Sequence, residues 1–137
     1  MQSAAPDDAP RRVLVVDDDP ALMTTLVTIL VSEGFQVDVA SDGTEGLERA
    51  RAQPPAVVLL DLHMPGMDGY AFLDAFRGMP ACAEVPVILM TGSQDTATAR
   101  RRITAGSVVL LLPKPFDLGT LLAATRGAVR SSQPRGE

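Results

Sequence analysis

A chain of 137 residues has room for one full hydrophobic core and not for two. Hydrophobic residues make up 46% and charged residues 21%, which excludes disorder along the whole chain. One His, one Cys and a net charge of −5 exclude a His/Cys zinc site and an internal disulfide, and leave no broad basic face, so direct binding to nucleic acid is not expected.

Residues 1–10 read as a flexible lead and 131–137 as a flexible tail, leaving one domain over 11–130. The lead lacks the apolar core of a signal peptide, and no window has the apolar length of a membrane span. A cytoplasmic protein without a membrane partner is therefore expected. VLVV (13–16) has strand length. After Pro20, Leu22, Leu26 and Leu30 form a helical stripe that stops at Gly34, with Asp19 as its cap. FQVDVA (35–40) is the second strand, and Thr44 to Gln53 the second helix, ended by Pro54 and Pro55. VVLL (57–60) follows, then a helix capped by Asp68 that carries Phe72, Leu73 and Phe76. VPVILM (85–90) precedes a helix over Asp95 to Ala105, and VVLLL (108–112) precedes one that opens at Asp117 and fades near Arg130. Five strands, each followed by a helix, predict an α/β protein: a doubly wound parallel sheet, covered on both faces, in the common order 2-1-3-4-5.

Sheets of this kind bind ligands beyond the carboxyl ends of their strands. The first strand runs into Asp17, Asp18 and Asp19; the third ends at Asp61, the fourth at Thr91, and the fifth at Pro113 and Lys114. A nucleotide phosphate would need a glycine-rich first loop, and three carboxylates stand there instead. Carboxylates on adjacent strand ends raise each other's pKa or recruit a dication, and an all-oxygen donor set favours Mg²⁺. Mg²⁺ in turn implies a phosphoryl group, which Lys114 can pair with and Thr91 can hydrogen-bond. An Asp side chain is itself a competent nucleophile toward phosphorus. Taken singly, Thr91 is a common strand-end residue and Lys114 an ordinary surface lysine; the acids opposite supply their use. Asp19 is better used as the helix cap before Pro20. Arg100, Arg101 and Arg102 fan around a helix and read as solvated surface, and the methionines read as core filler.

VLVVDDDP (13–20), DLHMPGMDG (61–69), MTG (90–92) and PKPF (113–116) together resemble the receiver domain of two-component response regulators, over roughly residues 11 to 130. The resemblance implies a flavodoxin-like fold with five helices, and a phosphorylation switch rather than an enzyme acting on outside substrates. It makes Asp61 the phosphoacceptor, charged by a sensor histidine kinase or a histidine phosphotransfer protein. It assigns Mg²⁺ to Asp17, Asp18, Asp61 and the backbone carbonyl of His63, with Asp17 acting mainly through water. Thr91 and Lys114 would hold the phosphoryl oxygens, and the Lys114–Pro115 peptide would be cis. The face of helix 4, strand 5 and helix 5 would change and alter binding of a downstream effector. His63 and Ser93 stand where the family tunes dephosphorylation.

Two features depart from that pattern. Leu111 occupies the place of the family's switch aromatic, three residues before the lysine, and the stretch from Gly106 to Lys114 is one residue longer than usual. A bulge or a shifted register in the fifth strand would absorb the extra residue. The competing enzyme reading, a haloacid-dehalogenase-like Mg²⁺ phosphatase, expects a second Asp two residues after the nucleophile, where this chain has His63. A third reading is a constitutive or weakly switching binding module. No output module follows the last helix, so the chain reads as a stand-alone receiver or as one cut from a longer protein.

Overall fold

The computed structural model describes residues 11–62, 66–92, 96–102 and 109–132. The expected lead over 1–10 and positions 133–137 of the expected tail lie outside the described residues, as do His63 and Ser93. In chain order the elements are β1 (Arg12–Val16), α1 (Pro20–Ser32), β2 (Gln36–Ala40), α2 (Gly43–Ala52), β3 (Val57–Asp61), α3 (Gly69–Arg77), β4 (Val87–Gly92), α4 (Thr96–Arg102), β5 (Val109–Lys114) and α5 (Leu118–Ser132). A short 3₁₀ turn, Pro80–Cys82, lies between α3 and β4. The strands form one parallel sheet in the order β2-β1-β3-β4-β5, as the alternation of strands and helices predicts.

Strand side chains alternate between two cores, because successive residues point to opposite faces. Leu14, Val16, Val58, Leu60 and Leu89 pack under α2, α3 and α4, with Phe72 and Phe76 filling most of that layer. Val13, Val15, Val57, Leu59, Ile88 and Met90 face α1 and α5, where Leu26, Leu30 and Leu121 meet them. Burial on both faces explains why β1 and β3 read as unbroken apolar runs.

The caps follow the acids. Asp19 accepts from the N–H groups of Ala21 (3.0 Å) and Leu22 (3.3 Å), with Pro20 as the first helical residue. Asp42 and Asp68 do the same for α2 and α3, and the Asp117 carboxylate accepts from Thr120 N–H at 3.0 Å. β4 runs two residues later than its apolar run. It begins after Pro86, which has no N–H, and continues through Thr91 and Gly92 because these pair with Pro113 and Lys114 of β5. That pairing runs without interruption from Val87–Val109 to Gly92–Lys114, so the expected bulge is absent from the described strand. Among the described residues no helix is long and apolar enough to cross a membrane.

Candidate functional site

The switch point of the sheet lies between β1 and β3, whose carboxyl ends both release acids. Asp17 leaves β1 with its N–H still bonded to the carbonyl of Ala40 on β2 (3.1 Å), which fixes its backbone. Its side chain is 0% exposed, whereas Asp18 beside it is exposed. Asp61 is the last residue of β3 and 6% exposed. Carboxylate oxygens of Asp17, Asp18 and Asp61 lie within 4.8 Å of one another.

Opposite the acids, the parallel pairing of β4 and β5 brings Thr91 level with Pro113 and Gly92 with Lys114. Lys114 Nζ stands 3.5 Å from Asp61 Oδ1, and the Thr91 side chain is fully buried at the end of β4. The Lys114–Pro115 peptide is cis, as the resemblance implies. Asp17, Asp18, Asp61, Thr91 and Lys114 thus come from four different segments to one end of the sheet. His63, the remaining candidate, lies outside the described residues.

One oxygen of Asp17 accepts the N–H of Asp19 at 2.9 Å. The other, Oδ2, is buried with no hydrogen-bond partner among the described residues. Burial pushes the Asp17 carboxyl up to about 6, with Asp61 adding to the rise and the Asp19 N–H and Lys114 opposing it. A buried carboxylate oxygen without a partner among the described residues, beside two further carboxylates, offers oxygen ligands that fit a hard divalent cation such as Mg²⁺. One lysine cannot neutralise three acids, so a bound cation would relieve the charge that burial makes costly.

Sequence reasoning located these side chains, and the stretch DLHMPGMDG (61–69) ends on the glycine that shapes the connection from β3 to α3, but the contact this glycine makes was not read from it. Gly69 donates its N–H to the carbonyl of Leu62 (2.9 Å), and a Cβ on it would stand 2.9 Å from Leu62 Cα and 3.1 Å from the Asp61 carbonyl oxygen. Only a glycine permits that approach. The signal was present in Gly69 itself, directly after the cap Asp68, but its partner across the loop was not visible in the sequence.

The family model for the response regulator receiver domain matches residues 13–126. The chain belongs to this family. As a receiver domain it is 36% identical over 127 residues to the DNA-binding response regulator MtrA of Mycolicibacterium smegmatis, covering 93% of this chain and 54% of that protein. It is 35% identical over 125 residues to the transcriptional regulatory protein KdpE of Mycobacterium tuberculosis, covering 91% of this chain and 54% of that one. It also superposes on the receiver domain of the Francisella response regulator 1452 with a TM-score of 0.80 and 27% identity, over 90% of this chain and 99% of that one. The receiver spans about half the length of the curated relatives it matches. Receiver domains of two-component response regulators are signalling modules, and nothing among these relatives points to the phosphatase alternative. The expectation of no contact with nucleic acid finds no support here, since MtrA is DNA-binding.

Proposed function

We propose that this receiver takes a phosphoryl group from a phosphohistidine onto Asp61 and thereby changes what its helix 4, strand 5 and helix 5 face binds. The observation that carries the reading is the pairing of Asp61 with Lys114 at 3.5 Å inside a cluster whose Asp17 Oδ2 lacks a partner among the described residues. Asp17, Asp18 and Asp61 would hold Mg²⁺, together with the carbonyl of His63 that the resemblance supplies. When bound, the ion offsets the negative charge of the transferring group.

The rest of the work belongs to the side chains. A lone pair on an Asp61 carboxylate oxygen forms the new O–P bond as the donor's N–P bond breaks, and the departing imidazole keeps the electron pair and takes up a proton. Lys114 follows the phosphoryl oxygens with a compact charge at the end of β5, and the Thr91 hydroxyl donates to one of them. Lys114 is the single lysine among twelve basic residues, so no second ammonium competes for that place. Because the attacking oxygen is already held at a strand end, catalysis is mostly positioning and charge neutralisation. On this reading the domain catalyses only its own phosphorylation and dephosphorylation.

A sensor histidine kinase or histidine phosphotransfer protein is the proposed donor, in the cytoplasm, where the free and buried Cys82 stays reduced. The proposed output is an effector protein or segment. MtrA being DNA-binding supports an output on DNA for the regulator this receiver serves. The receiver's own net charge of −5 supports a switching role in it rather than contact with phosphate backbones. Intact-mass measurement after incubation with acetyl phosphate and Mg²⁺ tests the reading. A single phosphoryl adduct is expected, absent with EDTA and absent in Asp61→Asn; an adduct that survives in Asp61→Asn overturns the assignment.

A further inference from the structure

Past Leu62, which is itself buried in the core with its N–H on the Met90 carbonyl at 3.1 Å, the connection from Asp61 to α3 meets the body of the protein at Met67. Gly66, at φ +81°, and Asp68 are exposed, while Met67 between them packs against the core beneath α2 and α3. The base of the connection is closed by the Gly69 N–H on the Leu62 carbonyl at 2.9 Å. What holds the rest is a hollow at Gly43, the first residue of α2 and buried. A Cβ on Gly43 would lie 2.8 Å from Met67 Sδ and 3.0 Å from both Met67 Cβ and Cγ.

Two of those three atoms are close to the Met67 backbone, so rotating the thioether does not clear the clash; the connection itself has to move. Gly43 does not use a left-handed backbone, and glycine is a poorer helix former than alanine. What Gly43 supplies is space, and Met67 fills it. The contact ties the segment that leaves the acid cluster to the start of a helix anchored independently. Asp42 caps that helix through Glu45 N–H at 2.8 Å, and Gly46 lies against Val16 and Phe72.

We propose that Met67 is a positioning residue for phosphoryl acceptance: seated in the hollow at Gly43, it holds the connection that follows Asp61 and so keeps the acceptor carboxylate aimed at its partners. It acts through Asp61 and touches neither the phosphoryl group nor the cation. The proposal rests on Asp61 being the acceptor.

The test uses the full chain as wild type, Gly43→Ala, Met67→Ala and the double variant. Two measurements are made: the rate of phosphorylation by acetyl phosphate at saturating Mg²⁺, and hydrogen exchange at the Gly69 amide. Each single variant is expected to phosphorylate about tenfold more slowly, since small misplacements of reacting groups cost this much or more. Their melting temperatures should stay within about 4 °C of wild type, the shift that about 1 kcal/mol produces in a domain of this size. The double variant should be no slower than either single one, because truncating the methionine removes two of the three atoms, Sδ and Cγ, that the methyl group added to Gly43 would meet. Gly69 amide exchange should accelerate about tenfold in both single variants through local opening, while β1 and β3 amides stay protected. Unchanged rates in the single variants, or a double variant slowed by the product of the two, overturn the proposal. If wild type takes up no phosphoryl group, the reading of Asp61 falls, and Gly69 exchange alone then decides the anchor: acceleration supports it and no change overturns it.

Discussion

Replacing Asp17 by Asn should stabilise the metal-free domain at neutral pH while abolishing its response to Mg²⁺. The magnitude follows from the burial of this carboxyl, which raises its pKa from 3.8 to about 6. A rise of about two units at about 1.4 kcal/mol each is about 3 kcal/mol of native-state penalty for the ionised form. The folded chain binds this proton more tightly than the unfolded one, so between about pH 4 and pH 6 folding carries extra protons and stability falls as pH rises. Above about pH 6 the whole penalty is present. The substituted amide retains an oxygen for the Asp19 N–H, which the Asp17 carboxylate accepts at 2.9 Å, and carries no charge to desolvate. Urea titrations in EDTA from about pH 4 to pH 7 measure the effect, read as the difference between the two proteins. The difference is needed because Glu45, held low chiefly by the Ser41 N–H, contributes stability in the opposite sense, lost as pH falls. The expected advantage of Asp17→Asn grows with pH to about 2–3 kcal/mol. Adding Mg²⁺ should close the gap, since a ligand at a hundredfold excess over its Kd stabilises the state that binds it by about 2.7 kcal/mol. An advantage that does not grow between pH 4 and pH 6, or a variant less stable than wild type at pH 7 in EDTA, refutes the reasoning.

Lys114→Ala should still accept a phosphoryl group from acetyl phosphate, but amide exchange of α4, β5 and α5 should no longer differ between its two forms; a wild-type difference in the variant would contradict the role. Gly69→Ala should lose about 1–3 kcal/mol in urea titration, because its Cβ meets backbone at 2.9–3.1 Å that cannot rotate away. Arg77→Met should lose a similar 1–3 kcal/mol or so. Its Nη1 donates to the carbonyls of Cys82 (3.1 Å), Ala83 (3.3 Å) and Val85 (2.6 Å), and truncation strands the partly buried acceptors of Cys82 and Val85; a variant as stable as wild type would assign the clamp no weight.

The fold was legible wherever burial alone decides. Val13 and Val15 against Leu14 and Val16, repeated in Val57 to Leu60, encode two faces by a period of two, and the acids Asp19 and Asp68 mark where two helices begin. The site was legible because charges directly after apolar strands have no packing explanation. The span of β4 was less so. Its start depends on Pro86 lacking a donor and on Arg77 engaging the carbonyl of Val85, and its end on backbone pairing that Thr91 and Gly92 join irrespective of hydropathy. The unequal burial of Asp17 and Asp18 was hidden for the same reason. Of two adjacent identical residues, it is Asp17 whose N–H bonds the Ala40 carbonyl and whose side chain accepts the Asp19 N–H, contacts that a sequence does not display.

The fifth strand holds the sharpest departure from the family, and its register gives the departure a physical meaning. A slip of one residue would have carried Leu111 to the α5 face; unbroken pairing instead sets it opposite Leu89, half-buried against the core beneath α4. Leu112 is buried on the other face, while Leu110 is 47% exposed. The place of the switch aromatic is therefore filled in the expected orientation by a side chain without a ring. A leucine there has no hydroxyl to bury or release and less area to move than a tyrosine or phenylalanine. On the proposed reading, the backbone pairing of Thr91 with Pro113 and of Gly92 with Lys114 offers a movement of Thr91 toward a phosphoryl group a direct path to the output face. Coupling through that strand rather than a ring would tie the output to Thr91 and Lys114, the two residues proposed to hold the phosphoryl group.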